Sequence, residues 1–245
     1  MRSRLDVEMA RRGLAESREG AQRLIMAGRV RVNSRPAGKA DLKVDAETAI
    51  TVVGGAPEYA SRGAYKLIAA LDHFAIDVQG RRALDVGAST GGFTDVLLKR
   101  GAAHVIALDV GRGQLIERLR KDSRVTVADR CNVRLLSADA LAYRPDLITI
   151  DVSFISLRLV LPAVLALAAP GSEIIALVKP QFEVGKGKVG KGGIVRDESL
   201  RREALEGILD FARQLGLEIA GTIESPIEGA KGNREFLAVM KVQSG

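Results

Sequence analysis

The chain is short of the residues that build disulfides, metal centres and aromatic clusters. Its 245 residues include one cysteine, Cys131, two histidines, His73 and His104, and no tryptophan. A single cysteine excludes an internal disulfide and fits a reducing cytoplasm. With only two histidines beside it, a structural metal site has too few suitable ligands, so we expect no metal. Long apolar runs are missing as well. A membrane-spanning helix needs roughly 18 or more uninterrupted apolar residues. The longest candidate here, 160–169, is shorter and contains Pro162. The first positions, Arg2 and Arg4, lead into charged sequence rather than the apolar stretch of a signal peptide. Negative charge is the scarcer sign: 30 Asp and Glu stand against 37 Lys and Arg, a net charge of +7. That excess suggests a polyanionic partner, although charge alone decides little.

Glycine and buried-strand patterns are present instead, and they meet in one stretch, ALDVGASTGGFTDVLL, from Ala83 to Leu98. An apolar run ends in Asp85, a glycine-rich turn follows, and an amphipathic segment continues to Arg100. This reads as strand, tight turn and helix. Gly87, Gly91 and Gly92 allow positive φ and a close approach of ligand to backbone. The helix start offers free N–H groups to that ligand. A second strand, 104–109, ends in Asp109, the place where an acid typically binds ribose hydroxyls. Ser89 stands where a dinucleotide-binding turn has its second glycine, which weakens a pyrophosphate ligand. The pattern favours a nucleoside without phosphates, S-adenosylmethionine being the evident choice. The donor-binding candidates are Asp85, Gly87, Ala88, Ser89, Gly91, Gly92 and Asp109.

Residues 1–55 read as a small α/β unit. Leu5, Val7, Met9 and Leu14 give a first helical pattern. A second begins at Ser17, a plausible N-cap, carries Ala21, Leu24 and Ile25, and stops at Gly28. Residues 30–32 alternate like a strand, Asn33-Ser34 signals a turn, and 50–53 reads as a closing strand. The charge here is arginine-rich, and arginine pairs bidentately with phosphate. Arg4, Arg18, Arg29, Arg31 and Arg35, with Arg62 beyond, are the candidate RNA contacts. Gly54 to Pro57 is the strongest linker signal, and 56–61 is the expected linker before a second domain, 62–245.

In that second domain, 61–71 reads as an amphipathic helix carrying Lys66, which by spacing alone resembles a lysine snorkelling from a helix surface. Residues 113–120 read as a helix and 125–128 as a strand. Residues 147–150 form a buried strand ending at Asp151. Residues 155–168 are helical, with an irregularity expected at Pro162. Residues 174–178 form a strand ending at Lys179, 201–215 a helix, and 217–223 and 236–240 the last strands. This alternation predicts a mostly parallel sheet with helices on both faces, ligands binding outside the carboxyl ends of the strands. Asp85, Asp109, Asp151 and Lys179 all stand at such ends. Residues 184–196 form a glycine-rich basic loop, read as a mobile flap near an RNA backbone.

Residues 1–55 resemble the S4 RNA-binding domain through RLDVEMARRGLAESREGAQRLI and GRVRVN. Residues 60–240 resemble the FtsJ-like ribose 2′-O-methyltransferases. Their markers are SRGAYKL, ALDVGASTGGFTDVLL, IALDVG, NVRLL, LITIDVSFISL, LVKPQFE and KGNREFL. Together they resemble the TlyA family, ribosomal RNA cytidine-2′-O-methyltransferases often called hemolysins. The resemblance implies an S4-like domain followed by a Rossmann-like methyltransferase domain with a mostly parallel sheet of seven strands. It implies S-adenosylmethionine as donor, ribosomal RNA or ribosomal subunits as partner, and the catalytic set Lys66, Asp151, Lys179 and Glu235. We expect a cytoplasmic monomer without membrane contact. A ribose 2′-hydroxyl must lose its proton as a methyl group arrives, and a lysine accepts that proton only when neutral. On this reading Lys179 is the base, Lys66 places the ribose, and Asp151 and Glu235 orient the amines. Two other classes stay open from sequence: a non-catalytic RNA assembly factor and a membrane-active lytic protein.

Overall fold

The structure is a computed structural model that describes residues 2–12, 14–15, 18–54, 58–185, 187–190, 192–229 and 232–244. The chain divides into two compact units, residues 1–58 and 59–245. Ser17 and the glycine-proline stretch 55–57, named above as N-cap and linker, lie outside the described residues. Residues 59–61 are built into the second unit rather than a linker, since the Ala60 N–H donates to the Asp95 carboxylate at 2.8 Å.

The first unit consists of β1 Ser3–Arg4, α1 Leu5–Arg11, α2 Arg18–Met26, β2 Val30–Val32, β3 Arg35–Pro36, β4 Lys43–Val44 and β5 Ile50–Val52. Leu5 and Met9 lie one turn apart on α1, Ala21, Leu24 and Ile25 share a face of α2, and all five enter one core with Val30, Val44 and Ile50. The signal at Asn33-Ser34 forms a two-residue hairpin, both residues left-handed at φ 48° and 65°, as a turn matched to strand twist requires.

The second unit begins with α3 Ala64–His73, β6 Arg82–Val86, α4 Gly92–Lys99, β7 His104–Asp109, α5 Glu117–Arg120 and β8 Val125–Asp129. It continues with β9 Leu147–Ile150, α6 Leu157–Leu167, β10 Glu173–Val178, α7 Pro180–Glu183, α8 Glu198–Gln214, β11 Glu218–Glu224 and β12 Phe236–Lys241. Its strands form one seven-stranded sheet in the order β11-β12-β10-β9-β6-β7-β8. Pairing is parallel from β10 to β8, and β12 runs antiparallel to both its neighbours.

Alternate strand residues feed two cores. Leu84, Val86, Ile174, Ala176 and Val178 pack with α6 and α8, whereas Ala83, Ile175 and Leu177 pack with α3, α4 and α5. Burial on both faces explains why these strands read as continuous apolar runs. Pro162 sits inside α6 without ending it. The helix expected over 113–120 shrinks to Glu117–Arg120, because Gly113 is left-handed at φ 63° and its N–H is held by Asp129.

Candidate active site

Strand order places the candidate site residues in one row. Along the carboxyl edge of the parallel strands, Lys179 follows β10, Asp151 follows β9, Gly87 follows β6 and Asp109 ends β7. Because β12 runs the other way, it starts at this same edge, with Phe236 opposite Val178. Glu235, just before Phe236, therefore flanks Lys179. The order reverses around β6, so the crevice lies at the topological switch point where open α/β sheets bind ligands.

Two lysines meet two carboxylates here. Lys66, from the first turn of α3, places its Nζ 2.5 Å from Glu235 Oε2, and both side chains are buried. The snorkelling alternative for Lys66 does not hold: its ammonium points inward to a buried acid. Lys179 Nζ lies 2.6 Å from Asp151 Oδ1 and donates to Ser153 Oγ at 2.9 Å. Each amine is thus aimed by partners from a different strand or loop. Buried ionisable side chains need hydrogen-bonded partners of this kind. Lys179 has extended backbone at φ −111°, ψ 100°, with Pro180 opening α7.

The glycine-rich turn sits between β7 and Asp151. The N–H groups of Gly87 and Ala88 both donate to the Leu108 carbonyl, and the Asp151 N–H donates to Val86. Gly87 is left-handed at φ 86°, and a Cβ there would collide with the Asp151 carbonyl. Gly91 is left-handed at φ 99°, where a Cβ would strike Leu115 and Leu119. Gly92 differs from the sequence expectation. It is the first residue of α4, and its missing side chain makes room for Ser61 and the Ala64 backbone. The third left-handed residue of the turn is Ser89, at φ 48°. Its N–H donates to Asp109 Oδ2 at 2.8 Å, while Asp109 Oδ1 accepts from the Gly111 N–H at 2.7 Å.

Asp85 also departs from its expected role. It is fully buried and accepts hydrogen bonds from the Thr94 and Thr149 hydroxyls at 2.7 and 2.9 Å. It ties β6 to α4 and β9 from beneath the turn, each oxygen engaged by a threonine hydroxyl. Burial pushes its carboxyl up to about 6, against the two threonine hydrogen bonds that favour the charged form.

The candidate RNA arginines divide into two kinds. Arg4 and Arg18 bond to Asp6, which is buried, also accepts from Gln22, and is held well below the usual carboxylate range chiefly by Arg4. These two arginines brace the first unit. Arg31 and Arg35 are exposed on β2 and β3, and half-buried Arg29 donates to the Val53 carbonyl. Arg62, exposed in the second unit, donates to the Glu228 carbonyl at 3.3 Å. Two site neighbours escaped the sequence reading, Ser153 and Glu183. Both lie in the quoted motifs DVSF and KPQFE, but only the fold shows what they touch.

Comparison with known proteins identifies both parts of the chain. The FtsJ-like methyltransferase family matches residues 59–242 and the S4 domain matches residues 3–50. The chain is 51% identical to the 16S/23S rRNA (cytidine-2′-O)-methyltransferase TlyA of Mycobacterium tuberculosis, over 99% of this chain and 91% of that protein. It is 41% identical to hemolysin A of Brachyspira hyodysenteriae, over 96% of this chain and 98% of that one. A solved structure of a Streptococcus thermophilus protein, also named a hemolysin, matches with TM-score 0.79 at 42% identity, covering 100% of this chain and 90% of that one. Among the described residues, no helix is long and apolar enough to cross a membrane. With both domains matched and near-complete coverage by relatives of this identity, the chain belongs to the TlyA family, enzymes that join an S4 domain to an FtsJ-like methyltransferase domain.

Proposed function

We propose that this protein transfers the methyl group of S-adenosylmethionine to the ribose 2′-hydroxyl of a ribosomal RNA cytidine. The observation that carries the proposal is the double pairing Lys66–Glu235 and Lys179–Asp151 beside the glycine-rich turn. The residues present fit the donor. An ionised carboxylate has about four acceptor positions, so half-buried Asp109 keeps capacity for a ribose hydroxyl beside its loop hydrogen bonds. Val110, largely exposed next to it, offers an apolar surface to a base. When bound, S-adenosylmethionine supplies a methyl group whose carbon–sulfur bond breaks as the carbon–oxygen bond forms.

The chain's own part is to hold the ribose and take one proton. Lys179, in its neutral form, accepts the 2′-hydroxyl proton at Nζ. Asp151 stabilises the ammonium that results, and Ser153 fixes the direction of the amine. Lys66, anchored by Glu235, orients the ribose. Holding donor, hydroxyl and base together accounts for much of the expected acceleration. Exposed arginines of the first unit engage the RNA backbone, where structured RNA is read largely by shape and phosphate. A ribosomal substrate puts this work in the cytoplasm, and we propose a monomer.

The test is transfer of labelled methyl to ribosomal subunits, with the modified positions mapped. Lys179→Ala is expected to abolish transfer while both ligands still bind. Lys179→Arg is expected to fail too, because arginine stays protonated. Lys66→Arg is expected to retain part of the activity. Near wild-type turnover by Lys179→Arg would remove Lys179 as the base.

A further inference from the structure

We propose that Glu183 is a positioning residue for the Lys179–Asp151 pair, clasping together the two loops that carry it. This rests on the reading of that pair as the proton-handling centre. Glu183 closes α7, four residues after Lys179. Its Oε2 accepts from Ser156 Oγ at 2.6 Å and its Oε1 accepts from the Leu157 N–H at 2.9 Å. Ser156 and Leu157 end the loop that begins at Asp151. One carboxylate therefore ties the segment after β10 to the segment after β9.

Three features distinguish this clasp from ordinary helix capping. First, α6 already has its own cap, since Ser156 Oγ accepts from the Arg158 N–H at 3.1 Å. Glu183 adds a tether from another strand's loop. Second, the loop it closes is strained. Phe154 is left-handed at φ 63°, a conformation rare for a bulky side chain, and the residue is 91% exposed. Such strain persists only where the surroundings over-determine the backbone. The Asp151 N–H is fixed to Val86 at one end of the loop, and Glu183 fixes the other. Between those ends Ser153 receives the Lys179 amine. Third, a parallel contact spans the same two segments: the Phe154 and Phe182 rings lie 5.3 Å apart. Glu183 is partly buried, and that burial pushes its carboxyl up while Ser156 and Leu157 favour the charged form. A relaxed loop would let Asp151 and Ser153 drift from Lys179, and a misplacement of about 1 Å can cost on the order of 100-fold in rate.

The experiment is single-turnover methylation of ribosomal subunits by the full-length protein, at saturating donor and RNA, with Lys179→Ala alongside. Glu183→Ala is expected to lower the rate constant about 10- to 100-fold, with KM for RNA and affinity for S-adenosylmethionine close to wild type. Glu183→Gln keeps an acceptor for the Leu157 N–H and is expected to recover most of that loss. Ser156→Ala should slow transfer less. Ser156→Ala combined with Glu183→Ala should be no slower than Glu183→Ala alone, because both break the same clasp. A merely structural role would lower thermal stability and leave the rate per folded molecule unchanged. A folded Glu183→Ala protein with the wild-type rate, beside an inactive Lys179→Ala, overturns the clasp and leaves the reading of the pair intact. An active Lys179→Ala overturns both. If Glu183→Ala does not fold, Ser156→Ala decides, and an unchanged rate there overturns the clasp.

Discussion

Asp85→Asn is the substitution for which the structure yields a magnitude. Asp85 is fully buried beneath the glycine-rich turn, and its carboxyl is displaced from 3.8 to about 6. The folded state therefore binds a proton more tightly than the unfolded chain does. Stability from the neutral acid is fully present below about 4 and is lost as pH rises through about 6. At 1.36 kcal/mol per pH unit the displacement corresponds to roughly 3 kcal/mol. An asparagine is isosteric, its oxygen able to accept one threonine hydroxyl and its amide to donate to the other. It carries no charge at any of these pH values. The stability of Asp85→Asn relative to wild type should therefore rise by roughly 2 kcal/mol between pH 4 and pH 7.5, the rest of the change falling below pH 4, and stay level above it. Urea unfolding followed by tyrosine fluorescence measures this in the right place, because the chain has no tryptophan and its three tyrosines, Tyr59, Tyr65 and Tyr143, all lie in the second unit. A stability difference that does not change between pH 4 and 7.5 would refute the reasoning from burial.

Asp109→Ala should weaken S-adenosylmethionine binding by at least tenfold, and it also frees the Ser89 and Gly111 N–H groups; calorimetry on the folded variant is the check. Gly87→Ala should destabilise the second unit by about 1–3 kcal/mol and slow methyl transfer, because the new Cβ drives against the Asp151 carbonyl; unfolding midpoint and single-turnover rate both report it. Arg31→Ala combined with Arg35→Ala should weaken RNA binding and flatten its salt dependence, by about one unit of log–log slope for each phosphate no longer neutralised. Arg4→Ala or Arg18→Ala should instead lower the stability of the first unit, since each strips a partner from buried Asp6, and a salt slope changed as much as by the Arg31 and Arg35 pair would contradict that division.

The edge of the sheet was legible because parallel strands buried on both faces read as apolar runs that stop at a polar residue. Asp151 after Leu147–Ile150 and Lys179 after Glu173–Val178 are both marked that way. What a strand-end acid touches was not legible. Asp85 and Asp109 look alike in sequence, yet Asp85 pairs with Ala107, two residues deeper in the sheet, where Thr94 and Thr149 turn it into a buried strut, and the second hydroxyl lies 64 residues away in sequence. Gly91 and Gly92 are adjacent and identical, yet only Gly91 needs a left-handed backbone, because α4 starts between them. Arg4 and Arg18 carry the same charge as Arg31 and Arg35, but Asp6 engages them because α1 and α2 pack on one another.

The position of Glu235 depends on something no local pattern encodes, the direction of the last strand. Lys66 and Glu235 are separated by 169 residues, and their meeting requires β12 to enter the sheet from the carboxyl edge of its neighbours. Had β12 run parallel, its first residue would lie at the opposite edge. The proposed donor side of the site needs only β6, β7 and β9, whose ends hold Gly87, Asp109 and Asp151. The lysine pairings extend it across β10 and β12. The two halves of the site thus depend on different strand pairings of one sheet, and antiparallel insertion of β12 between β10 and β11 is the step that brings the second carboxylate to the row.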